Sequence, residues 1–182
     1  MISDLRTRKL HHFFDVIDTN GDGVFTAHDT ELVAEKIAAL GRLAPGSAEH
    51  EAFLFGFNKY WEELRQRCDT SADGRVTREE WLAFHEVMLA DPDAYAAIAE
   101  SSAQLMFALV DDDHDGVIPI ERYGEWMRAW GSADDESFPE IARRLDPDGA
   151  GALTRAQVLR YTHEFFYSED PDAPGNWSLG RF

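Results

Sequence analysis

The sequence predicts an all-α fold in which four helix–loop–helix units form two pairs within one compact body. Three observations support this prediction. Apolar residues recur at helical spacing on both sides of four short loops. Each loop is a twelve-residue stretch that begins with aspartate and has glycine at its sixth position; loops 1 to 4 begin at Asp18, Asp69, Asp111 and Asp146. The eighth position of every loop is apolar, which favours short antiparallel ladders between paired loops; these residues are Phe25, Val76, Ile118 and Leu153.

The helix before loop 1 shows the flanking pattern. Leu10, Phe13, Phe14 and Ile17 fall at the i, i+3, i+4, i+7 spacing of one helical face. An acidic loop between two such helices has the spacing of the EF-hand calcium loop. In that loop alternate positions supply side-chain oxygens, glycine makes the sharp bend, position seven offers a carbonyl and position twelve a two-oxygen carboxylate.

Loop 1 matches this pattern except at its end. Asp18, Asn20 and Asp22 supply side-chain oxygens, and Val24 supplies a carbonyl oxygen. The twelfth position holds Asp29, where glutamate is usual. Because aspartate is one methylene shorter, we expect weaker Ca²⁺ binding at this site. We also expect competition from Mg²⁺, whose shell takes fewer protein ligands.

Loop 2 has a complete ligand set. Three side chains, one backbone carbonyl and one terminal glutamate stand at the required positions. These ligands are Asp69, Ser71, Asp73, the carbonyl of Arg75, and Glu80. The sequence therefore predicts the tighter and more calcium-selective site here.

Loop 3 begins with suitable ligands but ends without one. Asp111, Asp113 and Asp115 occupy the first alternate positions, and Val117 offers the carbonyl. The twelfth position is Arg122, a cation where a carboxylate is needed. We expect its guanidinium to point at the ion site and oppose the cation, which leaves at most a weak third site.

Loop 4 has lost two ligands. Its fifth position is Ala150 and its twelfth is the neutral Gln157, so only Asp146 and Asp148 remain as carboxylates. We expect a structural role for it as the pairing partner of loop 3. The predicted cofactor is therefore Ca²⁺ at two principal sites, with a possible weak third.

This arrangement divides the chain into three segments. Residues 1–90 hold the first pair, with both loops metal-binding, and residues 91–166 hold the second pair with degenerate loops. Between them Pro92 suits the first turn of a helix that Asp91 caps. Residues 167–182 form a tail with three large apolar residues near its end, which we expect to dock on the body.

Net charge limits the classes of binding partner, and cysteine content indicates the compartment. The net charge is −18, from 35 acidic and 17 basic residues, which argues against nucleic acid and anionic membranes because phosphate repels such a surface. The single cysteine, Cys68, leaves no internal disulfide and suits a reducing compartment. We expect no secretory signal, because no apolar region follows the charged first residues, and no run of ~18 apolar residues is present. We expect a cytoplasmic monomer.

The four-loop layout and the aromatic helices resemble the sarcoplasmic calcium-binding protein family, and most closely its bacterial, calerythrin-like members from actinomycetes. The tail from Tyr167 to Trp177 is similar to the C-terminal segment of those proteins. The resemblance implies a compact, all-helical, cytosolic Ca²⁺ binder with working and silent loops. The family's ligand roles carry over to loops 1 and 2.

The favoured function is that of a calcium buffer or signal transducer acting through loops 1 and 2. A calmodulin-like sensor with a protein target, whose identity the sequence does not give, is an alternative. Such sensors expose a Met-rich groove, whereas this chain has four Met and a tail that we expect to fill its own groove.

The sequence bears on two further functional classes, a carrier of an apolar ligand and an enzyme. Coelenterazine photoproteins and luciferin-binding proteins line an apolar cavity with Trp, His and Tyr; the present chain has five, seven and five of these residues, so an apolar-ligand carrier is a further alternative. An enzyme is not expected, because no nucleophile–base order, zinc spacing or phosphate loop is present. Trp81 and His85, four residues apart, are interpreted as packing residues.

Overall fold

The secondary structure is almost entirely helical in the computed structural model, which describes residues 2–182. In chain order the helices are α1 (Asp4–Ile17), α2 (Ala27–Leu40), α3 (Ala48–Cys68), α4 (Arg78–Met88), α5 (Pro92–Tyr95), α6 (Ser101–Val110), α7 (Ile120–Trp130), α8 (Phe138–Leu145) and α9 (Arg155–Tyr167). Two short strands are β1 (Val117–Pro119) and β2 (Ala152–Thr154). The predicted all-α class is confirmed. None of the helices described is both long and apolar enough to span a bilayer.

The helices that leave loops 1, 2 and 4 begin with the same reciprocal cap. The ninth loop residue is threonine, and the side chain three positions later bonds back to its backbone N–H. The pairs are Thr26 with Asp29, Thr77 with Glu80, and Thr154 with Gln157. Helix α7 lacks this cap because Pro119 occupies the ninth position of loop 3. The twelfth loop position thus starts a helix as well as offering an ion ligand.

Neighbouring loops pair through their eighth residues, as predicted. Phe25 and Val76 exchange two backbone hydrogen bonds, of 2.9 and 3.0 Å. In the second pair, β1 and β2 run antiparallel with Ile118 opposite Leu153. All four side chains are buried, with at most 1% exposure. Loops 3 and 4 therefore keep the pairing although their ligand sets are incomplete.

The two pairs share a hydrophobic interior. Val33 and Ile37 of α2 are buried in one cluster with Ile141 and Leu145 of α8. A second cluster lies between α1, α3 and α4, and a third joins α1 and α4 to Phe165 of α9. The first pair therefore packs directly on the second, which is consistent with one compact body.

Residues 92–110 form a nearly continuous helix with one wide turn. Asp91 accepts hydrogen bonds from the backbone of Asp93 and Ala94 and so caps α5, while Pro92 stands in its first turn. A π-helical turn, Ala96–Glu100, joins α5 to α6. Such turns are rare and frequently lie at functional sites.

The C-terminal segment lies against the body. A 3₁₀ turn, Pro174–Trp177, packs on α8 and α9. Asn176 is 1% exposed and Ser178 is 5% exposed. The Tyr123 hydroxyl donates to the Ser178 carbonyl at 2.9 Å, and His12 Nε2 lies 2.7 Å from the Leu179 carbonyl. This segment therefore has specific polar partners as well as apolar contacts.

Candidate metal centre

Loop 1 turns its side-chain oxygens inward onto its own backbone. Asp18 Oδ2 accepts from Gly23 N at 2.9 Å, and Asn20 Oδ1 accepts from Asp22 N at 2.8 Å. Asp22 Oδ1 in turn accepts from Val24 N at 3.1 Å. The bend requires Gly23, whose φ of +87° lies in the left-handed region. These contacts hold the first half of loop 1 in a turn, with the side chains of Asp18, Asn20 and Asp22 bonded to its backbone.

Asp29 closes loop 1 at its far end. Its Oδ1 accepts from Asn20 N at 3.2 Å, and its Oδ2 accepts from Thr26 N at 2.8 Å and from Thr26 Oγ1 at 3.0 Å. The side chain is fully buried. Aspartate therefore reaches both ends of the loop despite its shorter stem, with each carboxylate oxygen already engaged.

Loop 2 repeats this geometry with a more exposed surface. Asp69 Oδ2 accepts from Gly74 N at 2.9 Å, and its Oδ1 accepts from the Ser71 hydroxyl at 3.3 Å. Asp73 Oδ1 accepts from Arg75 N at 2.9 Å. The oxygen-only donor set fits a hard cation such as Ca²⁺.

Glu80 bridges the two ends of loop 2 and carries a full charge. Its Oε1 accepts from Ser71 N at 3.0 Å, and its Oε2 accepts from Thr77 N at 3.0 Å. Backbone hydrogen bonds, that from Thr77 first, lower the pKa of Glu80 to about 2. The carboxylate is therefore ionised and positioned over the loop, where a divalent cation would gain a bidentate ligand.

Loop 3 gathers three carboxylates without a twelfth ligand. Ligand oxygens of Asp111, Asp113 and Asp115 lie within 4.8 Å of one another, the one such acidic or histidine group among residues 2–182. Asp111 is 6% exposed, and its Oδ1 is buried without a hydrogen-bond partner. A buried carboxylate oxygen without a donor is costly, and a cation would satisfy it. The residues present therefore fit an ion with few protein ligands.

Arg122 does not point at the ion site, which is where its guanidinium group was expected from the sequence. Its guanidinium donates to Asp112 Oδ1 at 2.9 Å, to Glu125 at 2.7 Å and to the Leu40 carbonyl. Its partners include none of the three clustered carboxylates. The guanidinium group of Arg122 lies away from the three clustered carboxylates because it pairs with Asp112. Asp112 is the second residue of loop 3 and is not one of the predicted ligands. Arg122 removes a ligand from loop 3, but its hydrogen bonds lie outside the cluster.

Loop 4 keeps its shape without a complete ligand set. Asp146 accepts from Ala150 N and Gly151 N at 2.9 and 2.7 Å. Gln157 Oε1 accepts from the Thr154 backbone at 2.9 Å, which preserves the helix cap with a neutral amide. Loop 4 has two carboxylates and a neutral side chain at position twelve, and this ligand set does not fit a tightly held Ca²⁺.

A large cavity lies apart from the four loops and was not predicted from the sequence. It has a volume of about 630 Å³ and is lined mainly by aromatic and aliphatic side chains. No Asp, Glu, Lys or Arg lines it. Its aromatic residues come from helices far apart in the sequence, so only the abundance of aromatic residues signalled it beforehand.

His85 is the one histidine that lines this cavity. Its Nδ1 lies 2.8 Å from the Trp81 carbonyl, an acceptor, so Nδ1 is the protonated nitrogen. Burial lowers the pKa of His85 to about 4. The ring is therefore neutral near pH 7, with an unprotonated Nε2. The rings of Trp81 and His85 lie 4.2 Å apart between centroids, so the expected packing contact is present.

The chain is similar in sequence and in fold to several known proteins. The family described as EF hand matches residues 10–27. Calerythrin from Saccharopolyspora erythraea is 24% identical over 170 residues, which cover 92% of this chain and 95% of calerythrin. Luciferin-binding protein from Renilla reniformis is 23% identical over 177 residues, covering 95% of this chain and 92% of that protein. The solved sarcoplasmic calcium-binding protein from amphioxus shares the fold, with a TM-score of 0.73, 20% identity and 100% coverage of both chains.

Proposed function

We propose that this chain, an EF-hand calcium-binding protein of the calerythrin and sarcoplasmic calcium-binding type, binds Ca²⁺ principally at loops 1 and 2 and acts as a cytoplasmic calcium buffer or signal transducer. One observation supports the choice of loops 1 and 2. Only in these two does a carboxylate side chain at position twelve, Asp29 or Glu80, bridge the start and end of the loop. Loop 3 has Arg122 there and loop 4 has Gln157.

A third, weaker ion at loop 3 belongs to this proposal. The unpartnered Oδ1 of Asp111 and its neighbours Asp113 and Asp115 support it. Without a carboxylate from position twelve, such an ion would keep more of its water. Mg²⁺ retains water more readily than Ca²⁺ does, so it should compete best at loop 3 and at the Asp29 site of loop 1.

Buffering is favoured over target capture by the position of the C-terminal segment. Trp177 and Leu179 pack against the same core cluster as α7, α8 and α9. Leu179 and Ser178 also line the central cavity. A helix-binding groove would need this apolar surface, which the chain covers with its own residues.

Sensitised terbium luminescence tests the assignment of the loops. Tb³⁺ replaces Ca²⁺ at oxygen sites and is excited by a nearby indole, and Trp81 directly follows Glu80. Glu80→Gln should remove most of the signal. The matched control Asp146→Asn, at the first position of loop 4, should leave it unchanged. Equal loss in both variants would contradict the assignment.

Retention on a phenyl resin separates buffer from sensor. A sensor exposes an apolar groove when Ca²⁺ binds and is then retained. We expect elution at the same volume with Ca²⁺ and with a chelator. Retention that depends on Ca²⁺ would show that the chain presents a surface for a protein target.

Carriage of an apolar molecule is a second candidate function, and the cavity favours it. A volume of about 630 Å³ lies within the range of small-molecule sites. One similar protein, from Renilla reniformis, is named for binding luciferin. This function is compatible with Ca²⁺ binding, because the cavity and the loops use different residues.

A further inference from the structure

We propose that the cavity between α3 and α6 is a binding site for an uncharged, mainly aromatic molecule that donates one hydrogen bond to His85 Nε2. This inference rests on the second candidate function and assigns its site and the class of its ligand. It is independent of Ca²⁺ binding at loops 1 and 2.

The lining favours an aromatic ligand without charge. Four of the five tryptophans border the cavity; they are Trp61, Trp81, Trp126 and Trp130. Aromatic rings gain most by packing on other rings at offset or edge geometry. A charged group would be costly in a space with no counter-ion in its lining.

Among the polar side chains of the lining, His85 presents an acceptor nitrogen, Nε2, that is without a hydrogen-bond partner in the described part of the chain. The six hydroxyl groups at the cavity wall already use their protons, although their oxygens can still accept. Tyr60 donates to Ser102, and the other five donate to backbone carbonyls; these five belong to Ser102, Tyr123, Ser132, Thr162 and Ser178. His85 Nε2 has no hydrogen-bond partner within residues 2–182, although the side chain is only 2% exposed. Because Nδ1 faces its own helix, Nε2 is on the side of the ring away from that helix carbonyl. A buried acceptor of this kind prefers a donor.

The entrance lies between α3 and α6. The solvent-exposed residues of the lining all belong to these two helices; they are Ala52, Gly56, Leu105 and Ala108. Tyr60 and Ser102 make the one hydrogen bond that joins α3 to α6 in the described chain, at one side of the opening. The two helices therefore border an opening with few polar contacts across it.

Gly56 is a second indication of a site at this opening. It lies inside α3, where glycine is less favourable than alanine. A Cβ added there would meet no atom within 4 Å, so no close packing requires glycine. The π-helical turn Ala96–Glu100 contributes Ile98 and Ala99 to the lining. Because Gly56 has no side chain, it leaves room at the entrance.

Dye binding tests the proposal in the Ca²⁺-saturated full chain. N-phenyl-1-naphthylamine is neutral, has one N–H donor and fluoresces in apolar surroundings. N-methyl-N-phenyl-1-naphthylamine is its matched probe without the donor. We expect the first to bind with energy transfer from tryptophan, since four indoles border the site.

Substitutions at Gly56 and His85 test where the probe binds. Gly56→Trp should fill the entrance and weaken binding about tenfold or more, while Gly56→Ala, which keeps the space and favours the helix, should bind as the parent does. His85→Phe keeps a ring in the same packing. It should weaken the N–H probe about 3- to 10-fold, the value of one neutral hydrogen bond, and leave the N-methyl probe unchanged.

The outcomes separate the site from the function. If the probe binds the parent and Gly56→Trp equally, the proposed site is wrong although carriage elsewhere on the chain stands. Loss of binding in Phe55→Ala, which removes an exposed ring on α3 outside the cavity lining, would likewise overturn the site. No binding of either probe to the parent would contradict both the site and the carrier function. Circular dichroism and thermal melting confirm that each variant is folded.

Discussion

The ammonium group of Lys9, in α1, donates a hydrogen bond of 3.1 Å to the side-chain oxygen of Asn176, in the C-terminal segment. The same group donates to the carbonyls of Glu164 and Ser168 at the end of α9. That helix has no basic residue in its last turn, so Lys9 supplies the missing cap from another element. One buried side chain therefore joins the two ends of the chain.

Lys9→Met should destabilise the protein by about 2–4 kcal/mol, because one buried and two partly buried acceptors lose a charged donor. For a chain of this size that corresponds to a fall in Tm of about 5–15 °C. Differential scanning calorimetry with saturating Ca²⁺ measures it. Lys36→Met, at an exposed position of α2, is the control and should change Tm little. Equal effects of the two substitutions would mean that the Lys9 contacts contribute nothing specific.

Because of His85, the stability of the protein should depend on pH in the acid range. Its folded pKa of about 4 lies below the ordinary value of 6.5, so between these values the unfolded chain binds the extra proton. The free energy of unfolding should then fall as pH drops from 6.5 toward 4, by up to about 1.4 kcal/mol per pH unit from this residue. Urea unfolding at several pH values measures the slope. His85→Phe should reduce it, whereas His28→Phe, at an exposed position, should leave it unchanged.

Loop 1 offers a test of ligand length. Asp29→Glu adds a methylene and should bring the carboxylate within bidentate reach of an ion, as in loop 2. Ca²⁺ affinity at loop 1 should rise, and Mg²⁺ should compete less. Titration calorimetry in the presence and absence of Mg²⁺ compares the parent and variant. If Mg²⁺ competition is unchanged, the shorter side chain does not explain the selectivity of this loop.

Amide hydrogen exchange should show which helices depend on Ca²⁺. Carboxylates in each of loops 1 and 2 repel one another until a cation is present, and binding at a hundredfold excess over Kd stabilises the folded form by ~2.7 kcal/mol. Protection should therefore rise chiefly in α1, α3 and α4. Helix α2 should gain less, because its buried face packs with α7, α8 and α9. Equal gains in both halves would mean that the chain opens as one unit.

Much of the fold could be predicted from local patterns, and the interior could not. The loops, their pairing and the helix faces follow from short-range spacing, so they were accessible from the sequence. The Arg122 partner Leu40 lies 82 residues away, and no local pattern relates the two. The same holds for the cavity, whose wall combines Phe13 near one end of the chain with Leu179 near the other.

Titration calorimetry on metal-stripped protein tests the central claim most directly. The parent should bind two Ca²⁺ ions tightly, with any third ion weaker. Glu80→Gln, which replaces a charged two-oxygen ligand with one amide oxygen, should leave one tight ion. Asp146→Asn should leave both. Three or more tight sites in the parent, or two tight sites remaining in Glu80→Gln, would contradict the assignment of Ca²⁺ binding to loops 1 and 2.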